Sequence, residues 1–111
     1  MSKTVVCPVK KYPGTVTIYD PLNHPQLAAF QRGYQAVDKA GADIVWADQR
    51  LLLLPGILAC VERWGLENIP ESPTVDTFPA SPERAISKLL AWLIGEIIAV
   101  WQGPPDDDPN G

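Results

Sequence analysis

The chain opens on two short β-branched runs, Lys3 to Val9 and Thr15 to Tyr19, separated by Lys10-Lys11-Tyr12-Pro13-Gly14. Pro-Gly between two such runs is a turn signal, so a β-hairpin is predicted. Pro8 has no N–H to donate, which places the first strand at an edge or ends its pairing early. Val16 and Ile18 share one face. A two-stranded ribbon is marginal alone, so that face must lie on helices.

From residue 20 the period changes. Asp20-Pro21-Leu22-Asn23-His24-Pro25 reads as a turn into a helix, with Pro25 at the first helical position and Asn23 or His24 near the cap. Leu27, Phe30, Tyr34 and Val37 then form a helical stripe that stops near Gly41. A second helical stretch starts near Ala42 or Asp43 and runs through Ile44, Val45, Trp46 and Leu51 to Leu54. Pro55 lacks a donor and crowds the preceding turn, so a kink or two helices is expected there. The second piece would run from Pro55 to about Trp64, with Ile57, Leu58, Val61 and Trp64 inward and Gly65 as its stop.

Residues 67–80 hold Pro70, Pro73 and Pro79, and read as an ordered linker anchored by Ile69, Val75 and Phe78. A last helix is predicted from Pro82 to about Gln102, with Ser81 as N-cap, Glu83 at the positive end of the dipole and Gly103-Pro104-Pro105 as the stop. Ile86, Leu89, Leu90, Leu93, Ile97, Val100 and Trp101 cover one broad face of it, and Trp92 and Ile94 extend that face sideways. An arc this wide is central in its domain or shared with a partner. The fold class is therefore α+β, mostly α: an N-terminal hairpin, then three or four helices with a Pro-rich connector. Residues 1–103 are expected to form a single compact domain and residues 104–111 a flexible acidic tail.

Composition narrows the function classes. The length of 111 residues leaves no room for a second core, and 46% hydrophobic with 20% charged residues is the balance of a folding chain. Twelve prolines exclude a long coiled coil. The formal charge is −4, and removing Asp106, Asp107 and Asp108 leaves −1, so the domain proper is nearly neutral. No basic stripe is legible among the nine Lys and Arg, which argues against nucleic acid. The longest apolar stretch, Leu89 to Trp101, has 13 residues with Glu96 inside it, short of the roughly 20 that cross a bilayer. No secretory leader pattern opens the chain, so the expected location is the cytoplasm.

Candidate chemistry is sparse. The one histidine, His24, lies in a Pro-flanked turn, where it caps a helix or faces solvent. Cys7 and Cys60 are far apart and match no zinc spacing with it, so both are read as buried free thiols. Glu67 with Glu71, and Asp43 with Asp48, show no sign of the divergent environments that acid/base pairs need. Glu96 either occupies a solvent-facing strip of its helix or sits desolvated among apolar residues. The Asp106–Asp108 run lacks the glycine turn and distal Glu of a calcium loop. No catalytic residue, cofactor, metal or small-molecule substrate is assigned, and no enzyme activity is expected. Four tryptophans remain: Trp46, Trp64, Trp92 and Trp101. A small core has volume for about two, and the others suit a protein interface. Trp46, Leu52, Leu53, Trp92 and Trp101 are the candidate partner-binding residues, serving a protein partner or a homo-oligomer.

The segments PGTVTIYDPLNHPQLAAFQRGYQA and WGLENIPESPTVDTFPASPERAISKLLAWLIGEI, which lie between Pro13 and Ile97, resemble small proteins of the tail-gene region of tailed bacteriophages, of the tail assembly chaperone type. The resemblance rests on the order of hairpin, helix, Trp-Gly-Leu connector, Phe-Pro linker and closing amphipathic helix. It implies a non-enzymatic helper that keeps a hydrophobic partner, typically the tape-measure protein, soluble until the tail polymerises, in the bacterial cytoplasm or carried into the virion. A phage-encoded inhibitor of a host defence protein is the first alternative, and a small enzyme subunit or ligand carrier with a pocket under the tryptophans is the second.

Overall fold

The computed structural model describes residues 2–103. The acidic run and the rest of residues 104–111 lie outside the described residues, as does Met1. The elements in chain order are β1 (Ser2–Val6), β2 (Gly14–Tyr19), α1 (His24–Ala40), α2 (Trp46–Cys60), β3 (Val61–Leu66) and α3 (Glu83–Gln102). The class is α+β: one three-stranded antiparallel sheet in the order β1-β2-β3, with about half of the chain helical.

The hairpin forms as its sequence predicts, with β1 at an edge and its pairing ending in the Cys7 N–H to Gly14 carbonyl bond, one residue before Pro8. Lys3 and Val5 pair with Ile18 and Val16 on the inner face. On the outer face Thr4 and Thr17 bring their hydroxyls to 3.1 Å. The third strand corrects the expectation of a helix from Pro55 to Trp64. The helix ends at Cys60, and the chain passes directly into β3, whose Val61, Trp64 and Leu66 are buried. A β-bulge opposite Thr17 and Ile18 pairs Arg63 with Thr17 but Val61 with Ile18, leaving Glu62 as the extra residue. Strict alternation from Trp64 would have turned Glu62 into the core, and the bulge turns Val61 in instead.

Two further expectations are corrected. α2 runs from Trp46 to Cys60 without a break at Pro55, because Pro55 and the Leu51 carbonyl it deprives of a donor lie on the exposed face, where water can serve that carbonyl. Ser81 does not cap α3: Pro82 holds the N-cap position and no side chain bonds there. Asn23, by contrast, caps α1 with a complete capping box, its Oδ1 accepting from Gln26 N–H at 2.9 Å while Gln26 Oε1 accepts from Asn23 N–H at 2.9 Å. The segment from Glu67 to Pro82 contains neither helix nor strand, and is pinned by buried Ile69 and by Phe78, which stacks edge-on against Trp64 at 5.5 Å.

One apolar cluster holds the elements together. Val16 and Ile18 from β2, Trp64 from β3, Leu54 and Ile57 from α2, and Ile86, Leu89, Leu90, Leu93 and Ile97 from α3 are its centre. α3 is tied to the edge strand by the Lys3–Glu96 ion pair at 3.5 Å, so Glu96 is half-buried at that edge rather than on an open strip. α1 adds only Phe30 as a fully buried residue and packs instead on α2, antiparallel and very close. A Cβ on Gly33 of α1 would collide with the Leu52 carbonyl oxygen, and one on Gly56 of α2 would lie 2.5 Å from Phe30 Cα. Beyond these, the Cys60 thiol donates to the Gln26 carbonyl at 3.6 Å.

Two glycine-to-alanine changes inside helices should therefore have opposite signs. Gly56→Ala forces backbone against backbone and is expected to cost about 3 kcal/mol, the upper end of the range for overpacking. Gly95→Ala on α3, where nothing lies within 4 Å of the added methyl, should stabilise by about 0.5–1 kcal/mol through helix propensity. Urea denaturation of the two variants measures both.

Candidate protein-docking groove

Because α1 is fastened to α2 and α3 to the sheet, the two outer helices flank a groove with α2 at its floor. α1 contributes Phe30, Tyr34 and Val37, and α3 contributes Ile94, Ile98 and Trp101, each set spaced i, i+4, i+7. The helices run antiparallel, so Val37 is opposite Ile94, Tyr34 opposite Ile98 and Phe30 opposite Trp101. The groove consists of two clefts, of ≈ 380 Å³ and ≈ 260 Å³, that share Tyr34. Leu53 lies at the floor of the larger one.

The lining is aromatic and aliphatic along its walls and polar at its rim. Tyr34 and Trp101 are 48% and 41% exposed, large aromatics of the kind that dominate binding energy once covered. Around them the rim is polar but almost uncharged: Gln31, Gln35, Gln49 and Gln102 with one carboxylate, Asp38. Seven residues of helix rise about 10 Å, so each wall is about two turns long. No histidine or cysteine lines either cleft.

The five candidate residues fall in different places. Trp101 is in the wall and Leu53 in the floor, at 8% exposure. Leu52 is exposed on α2 outside both clefts, with its carbonyl against Gly33. Trp92 is half-buried on α3 against the core cluster, and Trp46 is half-buried at the start of α2. Tyr34, Val37, Ile94 and Ile98 complete the groove, and the sequence reading did not single them out as site residues. The α1 stripe carried Tyr34 and Val37, but nothing in a stripe says whether it faces the core or a groove.

One turn apart on α2, Trp46 Nε1 and Arg50 Nη1 are buried donors without a protein acceptor among the described residues. An unmet buried donor costs about 1–3 kcal/mol. Arg50→Met keeps the aliphatic stem and removes the donor, so the variant should melt at the same temperature as the parent or higher.

The other candidate groups are dispersed. His24 is the exposed first residue of α1, while Cys7 and Cys60 are buried free thiols. Among the described residues no group of three or more His, Cys, Asp and Glu could hold a metal ion. Burial pushes the Cys60 thiol up to about 11, and also raises Cys7 and Tyr12. A thiol whose pKa is raised by folding stays protonated in the native state while the unfolded chain ionises. Its contribution is complete below pH 9 and is lost as the pH climbs toward 11. The melting temperature should fall across that window, and Cys60→Ala should make the fall shallower.

Compared with known proteins, the chain matches no family model, no curated protein and no solved structure.

Proposed function

We propose that the protein is a non-enzymatic binding protein that holds an apolar helical segment of another protein in the α1/α3 groove. In the more specific form implied by the resemblance to tail assembly chaperones, it serves bacteriophage tail assembly and the partner is the tape-measure protein, whose long apolar helix would otherwise aggregate. The observation that carries the reading is the pair of facing i, i+4, i+7 walls, with Tyr34 and Trp101 left uncovered. A helix offers the complementary spacing, so knobs from one partner meet holes in the other. The amide rim favours a helix whose flanks are polar rather than strongly charged.

α3 itself satisfies the length and composition of a membrane span, being 20 residues long and largely apolar. Its most apolar face is covered by the core, and Glu83, Arg84, Lys88 and Glu96 interrupt the remainder. A soluble role for α3 as one wall of the groove is the reading supported by that packing.

The test is capture of a co-expressed tape-measure fragment by the full chain. Tyr34→Ala and Trp101→Ala should each weaken capture by about 2 kcal/mol, roughly 30-fold, with little change in melting temperature. Leu53→Ala at the floor should instead lose about 2–5 kcal/mol of stability. Unaltered capture by Tyr34→Glu and Trp101→Glu, in chains that remain folded, would sink the proposal.

A further inference from the structure

The fold gathers charges that are scattered in the sequence. Lys10 and Lys11 from the hairpin loop and Arg84 and Lys88 from the first turns of α3 line one cleft of ≈ 670 Å³, together with Pro8, Val9, Pro82 and Ala85. These are four of the nine cations of a chain whose net charge is −4. No acidic side chain lines the cleft, and none of the four enters the ion pair found among the described residues, Lys3–Glu96. Like charges held this close repel, and an anionic group placed among them relieves that repulsion.

The densest run of acid in the chain is Asp106-Asp107-Asp108, just after α3. Even fully extended, that run falls short of the Arg84 end of the cleft in its own molecule. Arg84 lies 19 residues before Gly103 on one helix, about 28 Å away at the α-helical rise. Asp107 is four residues beyond Gly103 and can extend only about 14 Å from it. We propose that the Asp106–Asp108 segment of one copy docks in the cleft formed by Lys10, Lys11, Arg84 and Lys88 of a second copy. Donor and acceptor sit at opposite ends of α3, so the contact is head-to-tail, and repetition builds an open chain or a closed ring rather than a two-fold dimer. Exposed charges make each contact weak and salt-sensitive. Closure of a ring would raise the overall strength through effective concentration.

Sedimentation velocity of the full chain tests this, with two charge-reversed variants. One carries Arg84→Glu and Lys88→Glu; the other carries Asp106→Lys, Asp107→Lys and Asp108→Lys. All the substituted residues of the cleft are exposed, and circular dichroism checks that both variants fold. The parent should associate with rising concentration in 20 mM salt and return to monomer in 0.5 M salt. Each variant alone should associate at least tenfold more weakly, and an equimolar mixture should form a one-to-one complex. Association that survives both reversals, or that ignores salt, would overturn the proposal and assign self-contact to the apolar groove. So would a parent that stays monomeric at low salt, a mixture that does not pair, or a short DNA duplex binding the cleft more tightly than a peptide of residues 104–111. Capture of the tape-measure fragment is read separately and should be the same in both variants, so failure here leaves the groove untouched.

Discussion

The contact between α1 and α2 sets the dimensions of everything built on the helical side of the sheet. Ordinary helix pairs stand 8–10 Å apart, at a distance chosen by the side chains between them. Here Gly33 and Gly56 remove those side chains at two places, one turn apart along the crossing, and the backbones meet directly. Cys60 continues the line toward the sheet with a small side chain that bonds the Gln26 carbonyl. α1 therefore lies low on α2, deep enough for Phe30 to enter the core while Tyr34, one turn on, stays half outside. A wider crossing would lift Phe30 out and change the spacing of the groove walls together. Fold stability and groove width thus rest on the same two glycines.

The sheet imposes the second constraint, through the bulge in β3. With no loop between α2 and β3, the end of the helix decides where the strand begins, and Val61 N–H still bonds back to the Ile57 carbonyl. One extra residue then has to be absorbed if Val61 and Trp64 are both to face inward. Placing Glu62 outward achieves this, and its carboxylate accepts a hydrogen bond from the Ser2 hydroxyl on the solvent side. The inner face that results is apolar from edge to edge apart from Lys3, which is matched by Glu96. α3 can then bury five residues on one side and still present Ile94, Ile98 and Trp101 on another.

That division of α3 was legible in the sequence, because an apolar arc broader than one neighbour can cover has to face two ways. The hairpin, the edge position of β1 and the extent of α1 were legible for similar local reasons: Pro8, Pro13-Gly14, Asn23 and Gly41 act over a few residues. β3 was hidden by its own bulge. Buried Val61 and Trp64 are three apart, the spacing of one helical face, and an unbulged strand would have shown two or four. Pro55 left both a kink and two helices open, and the chain forms one helix, Trp46–Cys60, with Pro55 inside it on the exposed face. At the groove, Trp101 and Leu53 followed from the α3 arc and the leucine block. Tyr34 and Val37 did not, because what makes them a wall is the empty space beside them, and that depends on how far α3 stands from α1.

The same distance logic separates the two surfaces that α3 serves. Arg84 and Lys88 stand in its first turns beside the hairpin loop, and Ile98 and Trp101 in its last turns beside α1. Ten residues of helix from Lys88 to Ile98 rise about 15 Å, roughly twice the Debye length of about 8 Å at physiological ionic strength. Charge gathered at the basic end is therefore screened before it reaches the groove, and the groove's own lining holds one formal charge, Asp38. Their supports differ as well: Asn68 Nδ2 donates to the Lys11 carbonyl and so holds the loop beside the basic cleft, whereas the glycine crossing holds the groove. A helix rigid enough to be the centre of the core can carry an apolar site and an electrostatic one without either disturbing the other, because they share its axis but neither their neighbours nor their range of force.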